Sequence, residues 1–201
     1  MRATIRLATA ADGQALAHIY RPAVTNSATS FELVAPDADE MTRRVERTLP
    51  RTPWLVCERG GEVVGYAYAC AHRDRPAYQW STDVSAYVRG DQHRTGVARA
   101  LYTSLFAILV RQGFYNAYAG ITRPNAASIA LHTSLGFDSI GVYRGVGFKQ
   151  GSWHDVEWFE RELAPKNRAP NHPVSLATLL QTAELEPSLA VGQQLLRALL
   201  V

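Results

Sequence analysis

The chain has 201 residues, 47% of them apolar and 19% charged, which suits one compact core with terminal decoration and excludes two large domains or a disordered chain. Net charge is only +3, and with lysine confined to Lys149 and Lys166 the basic residues are arginines scattered along the chain. No polybasic arm is present, so a nucleic-acid partner is not expected. Two cysteines, Cys57 and Cys70, lie in the apolar stretches WLVC and YAYAC; they are too few for a disulfide framework and are expected as free buried thiols in a reducing cytoplasm. The first residues carry no signal-like apolar stretch, and the longest later apolar run, Leu105 to Val110, falls far short of the roughly 20 residues that span a bilayer. Neither secretion nor membrane insertion is expected.

In chain order, residues 3–8 read as a short strand, and Thr9 to Asp12 supply capping groups for a helix carrying Leu16, Ile19 and Tyr20. A Ser/Thr-rich loop containing Phe31 leads to a second helix between Pro36 and Pro50. Residues 54–58 and 62–71 are β-rich runs joined by Arg59, Gly60 and Gly61, a hairpin signal. A loop (HRDRPAYQW) precedes a third run, Ser81 to Val88, and from Gly96 the positions Val97, Leu101, Leu105 and Leu109 keep the helical period as far as Gly113. Tyr115 to Ile121 is read as a strand, Asn125 to Leu135 as a helix closed by Gly136, and residues 137–146 and 152–162 as two final strands. The reading is α/β. Residues 1–163 form the expected domain; the Pro-containing segment after Glu162 marks a linker, and the tail to residue 201 has leucines and valines at helix-compatible spacing.

The most informative segment is Tyr87 to Ala98, YVRGDQHRTGVA, where a strand gives way to a glycine-bearing turn that opens into a long helix. The unpaired first-turn amides and the helix dipole make an anion site suited to a pyrophosphate, and Arg94 adds a full positive charge. An ordinary glycine turn is the plainer reading of the same residues. Asp83 stands inside a strand, where Asp is disfavoured, unless it simply faces outward. Asn125, Ser128 and His132 share one helical stripe; they are either a cap and a satisfied core histidine or groups aimed into a site. Arg73, Arg75 and Tyr78, just upstream of the Asp83 strand, are suited to an anionic substrate group, with solvated surface arginines as the alternative. Tyr87 is a hydroxyl donor or a packed aromatic. His154 and Asp155 are adjacent and lack a third partner, so no metal is expected.

His93, Arg94, Thr95, Gly96, Val97 and Ala98 resemble the pyrophosphate motif of the GNAT acetyltransferase superfamily, usually Gln or Arg, two residues, Gly, one residue, then Gly or Ala. His93 departs from it at the first position. The resemblance spans about residues 3–163 and narrows to phosphinothricin N-acetyltransferases and their relatives through RPAYQWSTDVSAYV, HRTGVARALYTSL, PNAASIALHTSLGF and GFKQGSWHDVEW. It implies a mixed, splayed sheet flanked by helices, with acetyl-CoA between the fourth and fifth strands, held by Val88, residues 93–98, Asn125 and Ser128. It implies Asp83 as base where the family has glutamate, and His132 as relay or acid near the sulfur. Arg75 and Tyr78 correspond to substrate-pocket residues, and Phe31 to an aromatic wall. The implied reaction is direct acetyl transfer to a glutamate analogue with a phosphinate, sulfoximine, sulfone or arsinate head, by a homodimer. An acetyltransferase for another amine, such as a protein N-terminus or an aminoglycoside, and a non-catalytic CoA-binding module are the alternatives.

Overall fold

A computed structural model of the chain describes residues 3–198. Strands β1 (Ala3–Leu7), β2 (Trp54–Arg59), β3 (Glu62–Ala71), β4 (Ser81–Val88), β5 (Asn116–Thr122), β6 (Asp138–Lys149) and β7 (Ser152–Glu162) form one seven-stranded sheet in the order β1-β2-β3-β4-β5-β7-β6. Helices α1 (Gly13–Thr25), α2 (Ala38–Thr48), α3 (Val97–Gln112), α4 (Ala126–Ser134), α5 (Leu176–Leu179) and α6 (Leu185–Ala198) flank it. Every ladder is antiparallel except β4 with β5, which makes the sheet mixed, as the α/β reading with a splayed sheet requires.

The sheet is covered on both faces at β2, which shows why its apolar run does not alternate with polar residues. Leu55 and Cys57 face a core built on Leu101, Leu105 and Ile108 of α3, whereas Trp54 and Val56 face Leu16, Met41 and Val45 of α1 and α2. The long middle helix ends where glycine permits it. Gly113 has φ 94°, and the Gly113 and Phe114 amides donate to Val110 O and Leu109 O, the paired bonds that close a helix in a left-handed cap.

The tail returns across α3. Leu176, Leu179, Leu189 and Leu196 are buried in the same core as the α3 leucines. Gly192 sits so close to α3 that a Cβ there would lie 2.0 Å from Ala100 O. Ser104 Oγ donates to Leu189 O at 2.8 Å and accepts from the Gly192 amide at 3.2 Å. At the sheet edge, Gln193 Oε1 accepts from the Ile5 amide of β1 at 3.2 Å, giving an edge donor a partner. The proline-rich connection is held as well: Trp80 Nε1 donates to Asn171 O at 2.8 Å, and Gln112 Nε2 donates to Val174 O at 2.9 Å.

Two expectations are corrected. β6 runs to Lys149 instead of ending near residue 146, because its pairing with β7 shifts register between Tyr143 and Gly147 and then resumes; the glycines that signal a break in the sequence mark irregularities within one strand. Cys57 is buried but Cys70 is exposed, because β2 pairs with β3 only as far as Tyr68 and leaves the end of β3 uncovered on that edge. Among the described residues no helix is long and apolar enough to cross a membrane.

Candidate active site

β4 and β5 pair over only three residues each, Ser81 with Asn116, Thr82 with Ala117 and Asp83 with Tyr118. Beyond Asp83 each strand keeps its outer neighbour: β4 stays on β3 as far as Val88, and β5 stays on β7 as far as Thr122. A fork results whose inner edges present main-chain polar groups without a sheet partner. The cleft is open to solvent and is lined by Val84–Tyr87, residues 119–122, the α4 residues Asn125, Ser128 and His132, Tyr102 of α3, and Thr29.

Asp83 stands at the crotch of this fork. His72 Nδ1 lies 2.6 Å from Asp83 Oδ1, and since an ionised carboxylate only accepts, the imidazole donates. The His72 ring stacks on Tyr118 with centroids 4.3 Å apart. Burial pushes the Asp83 carboxyl above its ordinary value, opposed by the His72 hydrogen bond and the charge of Arg73, so this carboxylate is a stronger base than a solvated one. Cys70 pairs across the strands with Asp83. Its thiol, though solvent reaches part of the residue, is pushed up to about 11 by desolvation and then by the Asp83 charge, which makes it a poor nucleophile. Tyr87 lies against Tyr20 at 4.7 Å and Tyr66 at 5.4 Å, and burial lifts its phenol well above the usual range. It therefore stays a neutral hydroxyl.

On α4 the plain and the functional readings of the sequence coincide. Asn125 Oδ1 caps the helix by accepting from the Ser128 amide at 3.1 Å, and His132 Nδ1 lies 2.8 Å from Ser128 O. A carbonyl cannot donate, so in the neutral ring the proton is on Nδ1, and Nε2 accepts from the Tyr102 hydroxyl at 3.2 Å. Burial lowers the His132 pKa below its ordinary value, which favours the neutral ring. All three stripe residues line the cleft while making these bonds.

The segment that opens α3 is a strained turn. Arg94 has φ 60° and Gly96 φ 82°, and the positive-φ residues next to the first helical turn direct successive amides toward one side, an anion-binding arrangement. Arg59 braces the turn through Gln92 Oε1 at 2.9 Å and Thr95 O at 3.1 Å. His93 Nε2 bonds Val88 O at 2.9 Å, so its ring ties the turn to the end of β4. Val97 is buried, Ala98 is half-buried, and the Arg94 side chain is exposed.

Residues assigned to substrate are only partly gathered. Tyr78 meets His72 edge-on with centroids 5.9 Å apart, and the Arg73 guanidinium lies over Trp158 at 5.7 Å while Nη1 donates to His72 O. Arg75 is exposed and precedes the short turn Pro76–Tyr78. Phe31 is not in the cleft lining. Its ring packs on Gly147, where a Cβ would lie 2.1 Å away, and its loop is held by Lys149 Nζ donating to Ser30 O at 2.5 Å. Thr29, two residues earlier, lines the cleft instead. His154 and Asp155 brace the β6–β7 hairpin: His154 Nε2 bonds Lys149 O and Asp155 Oδ1 accepts from the Gly145 amide. Sequence reasoning missed His72, Tyr102 and Thr29. Tyr102 carried one signal, a hydroxyl on the buried stripe of α3 that needs a partner; Thr29 carried none.

Residues 5–158 match the model of the acetyltransferase (GNAT) domain family. The chain is 37% identical over 174 residues to a phosphinothricin N-acetyltransferase of Streptomyces viridochromogenes, covering 87% of this chain and 94% of that protein. It is 35% identical to an L-methionine sulfoximine/L-methionine sulfone acetyltransferase of Salmonella typhimurium, covering 80% of this chain and 94% of that one. Among solved structures it resembles a GNAT superfamily phosphinothricin acetyltransferase from Sinorhizobium meliloti in complex with AcCoA, with a TM-score of 0.79, 32% identity, and coverage of 88% of this chain and 99% of that chain. With the family match spanning most of the chain, and with likeness to curated relatives and to a solved structure, the chain belongs to the GNAT acetyltransferase family.

Proposed function

We propose that this chain moves the acetyl group of acetyl-CoA to the amine of a small amino acid analogue with a tetrahedral side-chain head, such as a phosphinate, sulfone, sulfoximine or arsinate. Enzymatically it is an acetyl-CoA-dependent N-acetyltransferase; the substrate class is the reading supported by the relatives and by the basic, aromatic surroundings of Asp83. The observation that carries it is the position of Asp83, a carboxylate with raised pKa at the one point where β4 and β5 separate.

Asp83 takes the proton of the substrate ammonium, directly or through one water, because an α-amine with a pKa near ~8 is mostly protonated at neutral pH. The freed lone pair attacks the thioester carbonyl; the N–C bond forms, the C–S bond breaks with the electron pair leaving on sulfur, and the nitrogen's second proton passes by way of the Tyr87 hydroxyl to the thiolate, giving the amide and the free thiol. Main-chain amides along the parted edges of β4 and β5 stabilise the carbonyl oxygen. Tyr87, kept neutral by burial, donates to the departing thiolate, and the neutral His132–Tyr102 pair serves as relay. Arg94 and the amides of Thr95, Gly96, Val97 and Ala98 hold the diphosphate; the end of β4 at Val88 together with Asn125 and Ser128 guides the rest of the coenzyme. From Val97 to Tyr102 the helix rises about 7–8 Å, so phosphate anchor and reacting end share one groove. Arg73, Arg75 and Tyr78 receive the anionic groups of the substrate.

We also read the protein as a cytoplasmic homodimer. Phe148, Trp153 and Val146 on the β6–β7 hairpin and Leu33 and Val34 in the loop after Phe31 are exposed, apolar side chains of the kind that subunit contacts cover. The proposal is tested with acetyl-CoA in a thiol-release assay across phosphinothricin, methionine sulfone, methionine sulfoximine, arsinothricin, an aminoglycoside and an N-terminal peptide. Turnover of the amino acid analogues supports it; turnover confined to the peptide or the aminoglycoside overturns it.

A further inference from the structure

We propose that His72 is the positioning residue of Asp83: its Nδ1–H fixes one carboxylate oxygen and so aims the other at the substrate amine. The inference rests on the reading of Asp83 as base and extends it to a residue outside the cleft lining.

Four observations converge on it. The Nδ1–Oδ1 distance of 2.6 Å is that of a charge-assisted bond, and among the described residues His72 is the only side chain that hydrogen-bonds the Asp83 carboxylate. The ring has little freedom, being stacked on Tyr118 at 4.3 Å and met edge-on by Tyr78 at 5.9 Å and Trp158 at 6.3 Å. The dyad is built on paired backbone: Cys70 faces Asp83 across the β3–β4 ladder, and Thr82 Oγ1 donates to Cys70 O at 2.7 Å immediately beside it. His72 therefore leaves the strand at a defined point. Finally, the histidine side chain is the more enclosed partner, 12% exposed against 28% for the Asp83 side chain, so the remaining access to the pair is on the carboxylate side. An aspartate side chain has two torsions, and holding Oδ1 leaves Oδ2 one place to be, which is the preorganisation proton abstraction needs.

The groups facing the pair are Cys70 on β3, Arg73 in the following loop, Tyr78 in the short turn and Tyr118 on β5. None of them replaces the bond from His72. Its removal withdraws an interaction that favours the ionised carboxylate, so the acid limb of kcat/KM moves to higher pH.

The test compares His72→Phe, which keeps an aromatic ring against Tyr118 but has no donor, with His72→Asn, whose amide places a donor near the position of Nδ1. In His72→Phe, kcat is expected to fall about 10- to 100-fold with unchanged KM for acetyl-CoA and an acid limb displaced upward; His72→Asn recovers most of the rate and the parental limb. Placed on an Asp83→Asn background, His72→Phe adds less than about twofold, because a residue acting through Asp83 has nothing left to position. If His72→Phe proves unstable, His72→Leu is read the same way. A parental kcat and limb in the donor-less variant overturns the inference, as does an equal loss on both backgrounds, the mark of a purely structural role. Slow Asp83→Asn beside normal His72→Phe defeats this inference alone; normal Asp83→Asn defeats the assignment of the base and the inference with it.

Discussion

Two seams run along α3, and they are built on opposite principles. On one side the β4–β5 fork leaves strand edges open and surrounds them with polar groups, Asp83, Tyr87, Asn125, Ser128 and His132, at positions where burial already raises the Asp83 carboxyl and lowers His132. On the other side α6 closes on the same helix through Gly192, with Leu189 and Leu196 buried and with Ser104 and Gln193 supplying partners to nearby main-chain groups. The closed seam gains stability from dense apolar packing. The fork gives some of that up, since unpaired edges and a desolvated carboxylate cost free energy; on the proposed reading it gains a place where a proton can be taken. A substitution at one seam should therefore move activity and spare the fold, and at the other should do the reverse.

The largest expected effect is at the fork. Asp83→Asn should lower kcat by about 10²- to 10⁴-fold, with calorimetric affinity for acetyl-CoA unchanged and melting temperature equal to or above the parent's, since a carboxylate held above its ordinary pKa is a charge the fold disfavours. At the closed seam, Gly192→Val forces a side chain against the Ala100 carbonyl and should cost about 1–3 kcal/mol, read as a melting temperature lower by roughly 2–12 °C with kcat at 25 °C near the parent's.

A smaller effect belongs to the proposed phosphate anchor. Arg94 is exposed, so Arg94→Ala should weaken acetyl-CoA binding about tenfold at low ionic strength and less at high salt, with kcat at saturation little changed. The smallest concerns His132. Its pKa is lowered by burial, so below about 6.5 the unfolded chain binds a proton that the folded one refuses, and stability declines as the pH drops until the lowered folded value is passed. Across that window the melting temperature of the parent should fall more steeply toward acid than that of His132→Gln, which has no proton to take up; parallel curves would show that His132 is not buried neutral.

Legibility from sequence follows how local each feature is. The strand from Ser81 to Val88 and the helix from Val97 to the cap at Gly113 are readable because period and glycine placement are local properties. The stripe of Asn125, Ser128 and His132 is readable for the same reason, and the structure brings all three to one cleft. Resemblance makes Phe31 a wall of the substrate pocket; that its ring rests on the β6–β7 hairpin at Gly147 is not legible in the sequence, because a loop's side chains go where distant strands leave room. In the sequence His72 is one more polar residue of the loop HRDRPAYQW. Nothing in that string says that the β3–β4 register sets its ring beside Asp83.

By itself the sequence determined periodicity, punctuation and chemistry: which runs are strands or helices, where α3 must start and stop, and which polar residues fall on one helical face. Only the tertiary structure decided that β4 and β5 part after Asp83, that His72 reaches across 11 positions to that carboxylate, that Tyr102 meets His132 across 30, and that Ser104 holds Leu189 across 85. The physical reason is range. Torsional preference and hydrophobic period act over a few residues, whereas register, strand parting and helix closure depend on the packing of the whole sheet, which no short stretch of chain contains.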